Sequence, residues 1–354
     1  MTKLRKIGLS ALCGSLAAVA ANAGSLDVSG GATVTYSSNS KETTGNPLGM
    51  ASAVSFKGSG ELDGGQTVSL NIDNDDKSAF SVASMALGTN NMGTFTLALG
   101  TGGVGIDSYD DKMPSAWEET WGTSLGTGVD LISGVGGSTS LEWKLPTVGG
   151  ITLAAAVAPV NDGVQSSDKS GSGAAGGENK GMGYDVTLNI NPAFGGDVLS
   201  GLNIFGGYST TEKTSPSLKA GSNAEVNEDV EEGTVGLTYA LGPIEAGIQY
   251  TGEYLGARGA TSTSEVFGYK NVMWGVAFNV SDNLSVSYAE LTSRKGFEQE
   301  EQARVDLEVE SMQLAYTMGG ASIKIAQTDV SNALYSTTAS NDKSANTIAL
   351  TLAF

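Results

Sequence analysis

The sequence predicts an all-β chain: a transmembrane antiparallel β-barrel of 16 strands. Three observations predict it. Apolar and small-polar residues alternate in segments of about ten residues, the period of a strand with one buried and one wet face. The connections between these segments are long and short in turn. After the N-terminal segment, no run approaches the roughly 18 consecutive apolar residues of a membrane helix, so spanning is left to a closed sheet.

The elements follow in order. Lys3, Arg5 and Lys6, then the apolar run Ile7–Ala20 and Ala21-Asn22-Ala23, have the charge, apolar and small-residue order of a signal peptide, which assigns 1–23 to export and 24–354 to the barrel. Cleavage after Ala23 leaves 331 residues. It also removes three basic residues, no acidic one and Cys13, the single cysteine, so the net charge moves from −19 to −22 and no disulfide can form. Leu26, Val28, Ala32, Val34 and Tyr36 then alternate with Asp27, Ser29, Gly31, Thr33 and Thr35. The same alternation recurs through Val68–Asp73, Ser140–Leu145, Tyr184–Ile190, Asn271–Val280 and Thr347–Phe354. Strands are predicted near 26–36, 50–61, 65–73, 80–88, 92–100, 138–145, 149–158, 181–191, 200–211, 232–241, 243–253, 268–280, 282–293, 305–317, 320–330 and 344–354. In 80–88, Phe80, Val82 and Ala86 compete with Met85 and Leu87 for the outer face. In 305–317 the apolar parity shifts from Val305, Leu307 and Val309 to Met312, Leu314 and Tyr316, which predicts a bulge near Glu310.

Short turns at 62–64, 89–91, 146–148, 242, 281 and 318–319, with a longer one at 192–199, alternate with the gaps 37–49, 74–79, 101–137, 159–180, 212–231, 254–267, 294–304 and 331–343. Trp143, Tyr239, Tyr316 and Phe354 fall at the short-turn ends, and Tyr36, Tyr250, Tyr254 and Tyr269 near the long-loop ends, as two interfacial belts.

Composition removes whole classes of function. His is absent, which excludes Ser-His and Cys-His nucleophiles and imidazole metal sites, and no enzyme is expected. With 38 acidic against 19 basic residues, the charge has the wrong sign for nucleic acid. Gly100-Thr101-Gly102-Gly103-Val104-Gly105 matches a dinucleotide fingerprint by letter, but no helical pattern follows it. No cofactor is expected. Asp73-Asn74-Asp75-Asp76 and the run 225–232 are the places where Ca²⁺ could bind, although neither has the EF-hand glycine, which favours solvated loops.

With its export signal, its strand count, its long third external loop and its Ile348–Phe354 ending, the chain resembles the general bacterial outer-membrane porins, sixteen-stranded trimeric barrels. The resemblance implies a homotrimer in the outer membrane of a Gram-negative bacterium, in contact with outer-membrane lipid and lipopolysaccharide. It further implies that the third external connection, 101–137, folds inward as a constriction loop. That connection carries Asp107, Asp110, Asp111, Glu118, Glu119 and Asp130 against Lys112, and Tyr109, Met113, Trp117 and Trp121 to pack on the wall. In the family, basic wall residues on the second, fourth and sixth strands face such a loop. Lys57 and Lys144 occupy the second and sixth, and the fourth carries none. The family's Pro-Glu-Phe-Gly-Gly stretch is replaced by Pro114-Ser115-Ala116-Trp117.

The expected function is a passive diffusion channel for small hydrophilic solutes and ions, with cation preference from the acidic loop. Two alternatives stand beside it. A substrate-specific porin would want an aromatic track or an Arg ladder. Only Phe205 is expected to point inward among the strand aromatics, and only Arg258, Arg294 and Arg304 remain after the signal segment. A secreted or surface-layer adhesin-like β-protein would not need an outward apolar band.

Overall fold

The computed structural model describes residues 24–40, 46–75, 82–100, 102–120, 125–161, 163, 180–192, 199–213, 226–258, 266–297 and 304–354. Sixteen antiparallel strands form a closed barrel, each paired with its sequence neighbours: β1 (Ser25–Ser40), β2 (Leu48–Glu61), β3 (Thr67–Asp75), β4 (Val82–Thr89), β5 (Gly93–Leu99), β6 (Thr139–Lys144), β7 (Ile151–Ala158) and β8 (Lys180–Ile190), followed by β9 (Leu202–Lys213), β10 (Val230–Leu241), β11 (Ile244–Tyr254), β12 (Val266–Ser281), β13 (Leu284–Phe297), β14 (Asp306–Met318), β15 (Ala321–Ser331) and β16 (Lys343–Ala353). The strand count and order are those the alternation predicts, with ends shifted by a few residues. A two-residue pairing of Val226–Asn227 with Ala257–Arg258 lies outside the barrel sheet.

Closure joins the two ends of the chain. β1 pairs with β16 from Gly31 opposite Ala353 to Ser40 opposite Ser344. Beyond that ladder Gly30 and Phe354 exchange both backbone hydrogen bonds, at 2.8 and 2.9 Å. The barrel sheet leaves no strand edge to pair with another chain, which an open sheet of this size could not avoid.

The two faces sort by residue parity. Leu26, Val28, Val34 and Tyr36 of β1 lie on the exposed outer face, as do Val272, Trp274, Val276 and Phe278 of β12 and Ile348, Leu350 and Leu352 of β16. On β4, Met85 and Leu87 win the outer face. One outward carboxylate, Glu290 on β13, accepts from the Trp274 indole N–H at 3.0 Å and the Tyr288 hydroxyl at 2.6 Å.

Four expectations need correction. β14 has no bulge: its register is continuous against both β13 and β15. Leu307 and Val309 keep their parity and point inward, where both are fully buried in an apolar cluster within the barrel. Tyr269 is not in an outer belt, because it shares the inner face with Glu253, its cross-strand partner, and packs on Tyr335 at 5.7 Å between ring centroids. Phe205 is therefore not alone among inward strand aromatics. The acidic run 225–232 is not all loop either. Val230 to Glu232 open β10, and Glu232 is a buried wall residue.

Candidate functional site

The third long connection, between β5 and β6, is the longest, and its contacts define the site. It leaves β5 through Gly100, Gly102, Gly103 and Gly105, all at positive φ, so the glycine-rich letters serve backbone turning. Gly105 is the tightest of these positions. A Cβ there would lie 2.0 Å from an Asp185 carboxylate oxygen, and one at Gly134, also at positive φ, would lie 2.4 Å from the same oxygen.

That close approach exists because wall carboxylates accept from the loop backbone at both of its roots. Asp185 on β8 accepts from Ile106 N–H at 2.9 Å and from Val135 N–H at 3.1 Å. Glu142 on β6 accepts from Gly105 N–H at 3.1 Å. Glu232 on β10 accepts from Ser133 and Gly134 N–H, both at 2.8 Å. Charge-assisted bonds of this kind are stronger than neutral ones, and they tie the loop amides to the wall.

Further along, wall amides take over. Gln249 on β11 accepts from Lys112 N–H at 2.9 Å and donates to the Tyr109 carbonyl at 2.6 Å. Ser287 on β13 accepts from Ala116 N–H at 2.8 Å. Gln313 on β14 accepts from Trp117 and Glu118 N–H at 2.9 and 3.0 Å and donates to the Glu118 carbonyl at 2.7 Å. Residues 105–118 therefore run along the wall from β6 to β14. The return passes Asn271 on β12, which donates to the Asp130 carbonyl at 2.8 Å, and then Glu232 and Asp185. All these wall side chains share the parity opposite to the exposed apolar face.

Packing completes the seat. Met113 and Leu125 join Phe205, Met273, Leu291, Leu307, Val309, Val330, Ala333 and Ala345 in one apolar cluster. Tyr109 stacks on Phe205 at 5.4 Å, and Lys324 of β15 lies 5.9 Å from the centre of the Trp117 ring. Trp121 lies outside the described residues.

The candidate residues distribute unevenly. Asp107, Asp110 and Asp111 use one oxygen each to bind loop amides, of Gly103, Asp111 and Met113. Burial pushes all three carboxyls up, and Asp111, with Asp110 and Glu119 beside it, reaches about 6. Burial raises Asp130 as well, against the pull of Lys295 and Lys180. Glu119 is exposed and Glu118 half-buried. Lys144 lines a cavity of about 190 Å³ together with Lys112, Glu142, Ser108, Tyr109 and Thr187. Lys57 points inward on β2, in register with Asp27 and Asn71. β2 is eight strands round from β10, so Lys57 faces the loop-bearing wall from the opposite side of the barrel.

Sequence reasoning missed the anchors Asp185, Glu232, Gln249, Asn271, Ser287 and Gln313. A usable signal was present: isolated amides and acids at inward parity on strands otherwise lined by small residues. As for Ca²⁺, Asp73 accepts from Asn71 at 2.6 Å, and no cluster of acids among the described residues has the arrangement of a metal site.

A closed sixteen-stranded sheet, apolar outside and polar within, defines a transmembrane β-barrel of the outer-membrane type. A family model described as Gram-negative porin matches residues 8–353, and the chain belongs to that family. It is thus a general porin of the Gram-negative outer membrane, a non-enzymatic channel. Among solved structures it is similar to OmpF of Salmonella typhi in complex with daunomycin, with TM-score 0.65, 15% identity, and 93% of this chain and 97% of that one covered. OmpT of Vibrio cholerae gives TM-score 0.64, 12% identity and coverage of 94% and 98%. The anion-selective porin from Comamonas acidovorans gives 0.60, 14%, and 94% and 100%. At these identities the likeness is one of fold. A search of curated protein sequences found no match.

Proposed function

We propose that the protein is a passive diffusion channel for small hydrophilic solutes and ions, that residues 101–137 form its constriction, and that it prefers cations. The observation that carries this reading is the loop's attachment: one connection bonded to inward side chains from β6 to β14, bearing six carboxylates and one lysine. Acidic groups on a low-dielectric wall raise the local cation concentration and oppose anions. Asp107, Asp110, Asp111, Glu118 and Glu119 supply the negative side. Lys57 and Lys144 are the wall cations the sequence offers, and Lys180, Lys295 and Lys324 add to them on β8, β13 and β15; Lys57 shares its stretch of wall with Asp27 and Asp73. A homotrimer, contact with outer-membrane lipid and lipopolysaccharide, and cleavage of 1–23 as a signal peptide belong to the same proposal.

The purified protein in a planar bilayer under a potassium chloride gradient tests it. The reversal potential is expected to have the cation-selective sign, and the anion-selective sign, which suits the relative from Comamonas, would overturn the preference. A specific sugar channel is less well supported. The inward aromatic faces are occupied, Tyr109 by Phe205 and Tyr269 by Tyr335, with Lys295 5.6 Å from the Tyr335 ring centre.

A further inference from the structure

Resting on the constriction reading above, we propose that the last long connection, residues 332–342, is a second pore-forming element. It roofs the lumen over β12–β16, locks the returning limb of the constriction loop, and confines the aqueous path to the rest of the barrel cross-section.

Backbone strain marks this segment. Asn332, Leu334 and Tyr335 have φ of 56°, 59° and 57°, and they are the non-glycine residues at positive φ among the described ones. Asn tolerates that region, whereas Leu and Tyr do so only where their surroundings impose it. Here the surroundings are the constriction loop and the inner wall. Leu334 N–H donates to the Thr127 carbonyl at 2.7 Å. The Leu334 side chain fills the space where Gly128 has no Cβ: a Cβ there would lie 2.6 Å from Leu334 Cδ2. Ala333 is fully buried in the cluster that also holds Leu125, Leu307 and Val330.

Tyr335 reaches along the same arc of wall to β12 and β13. Its hydroxyl is 2.8 Å from Ser293 Oγ on β13, and its ring meets Tyr269 of β12. The segment is tied at both ends as well. Asn332 donates to the Asp306 carbonyl at 2.8 Å, and Lys343 Nζ donates to the Leu125 carbonyl at 2.9 Å. A connection that starts on β15, ends on β16 and touches β12, β13 and the constriction loop must lie across the barrel mouth on that side. A strained backbone held by so many partners is a fixed wall.

Deletion of 333–341 and the variants Tyr335→Ala and Tyr335→Phe test the roof, each checked for a folded barrel by heat-dependent gel migration. The deletion is expected to raise single-channel conductance roughly twofold and to speed liposome uptake of larger sugars, since conduction follows the open cross-section. Tyr335→Ala should do so less, and Tyr335→Phe, which keeps the ring, should match the parent. If the deletion does not assemble, Tyr335→Ala and Leu334→Gly carry the same measurement. Wild-type conductance and uptake in these variants would overturn the roof. A triple variant, Asp110→Asn, Asp111→Asn and Glu119→Gln, is measured alongside. A shifted reversal potential there, with unchanged roof variants, sinks the roof alone. An unchanged reversal potential sinks the constriction reading, and the roof with it.

Discussion

The two sides of the barrel wall use the same alternation to opposite ends. On β1, β2 and β3 the inward residues are Ser, Thr, Asn, Asp, Gly, Ala, Glu and Lys57, and none of them is buried. On β12 to β16 the inward residues include Met273, Leu291, Leu307, Val309 and Val330, and these are buried. No hydrophobic exterior accounts for the difference, because both sides have an apolar outer face. What differs is the company inside. The third long connection and residues 332–342 pack against β12–β16, so that side has a core, whereas among the described residues the inner face of β1–β3 is not buried. A barrel wall can therefore behave as a protein interior on one arc and as a channel lining on another.

The largest expected effect comes from the loop roots. Gly105→Val or Gly134→Val would drive a side chain into the Asp185 carboxylate from a backbone region that β-branched residues avoid. The cost should be several kcal/mol, on the order of 3–5, read as protease cleavage of the loop in an otherwise folded barrel. Intact loops in both variants would show that the wall carboxylates do not set its seat.

Next comes a paired test of the two sides. Leu307→Ala removes a fully buried side chain from the packed side and should destabilise by about 2–5 kcal/mol in denaturant unfolding from detergent. Thr33→Ala on the open side, whose hydroxyl is 2.9 Å from Thr351 Oγ1, should stay within about 0.5–1.5 kcal/mol. Equal effects would erase the distinction drawn between the sides.

Protonation offers a gentler probe. Asp111 takes up a proton as pH falls through about 6, ahead of carboxylates at their ordinary value, so cation preference should decline between pH 7 and 5. The sign for stability is the reverse. A carboxyl whose pKa is raised on folding favours the folded loop more at low pH, so lost selectivity should come without loosening. Selectivity constant across that range would remove Asp111 from the conducting surface. The smallest effect is expected from Lys57→Ala, which deletes an exposed charge from the open side. It should move the reversal potential slightly further toward the cation limit with no measurable change in unfolding.

Strand number, order and outer face were legible in the sequence because each follows from local parity and from loop lengths alternating along the chain. The inward apolar residues were harder to read. The pair Leu307 and Val309 looks like an outer face displaced by a bulge, since a single strand's pattern does not say what lies beyond its inner surface. Tyr269 sits near a strand end, where an interfacial ring and a lumenal ring have the same position in the chain and differ only in parity. The anchors were equally obscure: Gln249 and Gln313 are ordinary polar residues until a loop amide from more than a hundred residues away arrives at 2.9 Å.

By itself, then, the sequence determined a sixteen-stranded barrel with an apolar exterior, because the two-residue period and the bilayer's demand for satisfied backbone act on each strand separately. Only the tertiary structure decided which arc of the inner wall is packed and which is wet. That choice depends on contacts between a long connection and side chains scattered over β6 to β16, and no local pattern encodes where a connection comes to rest.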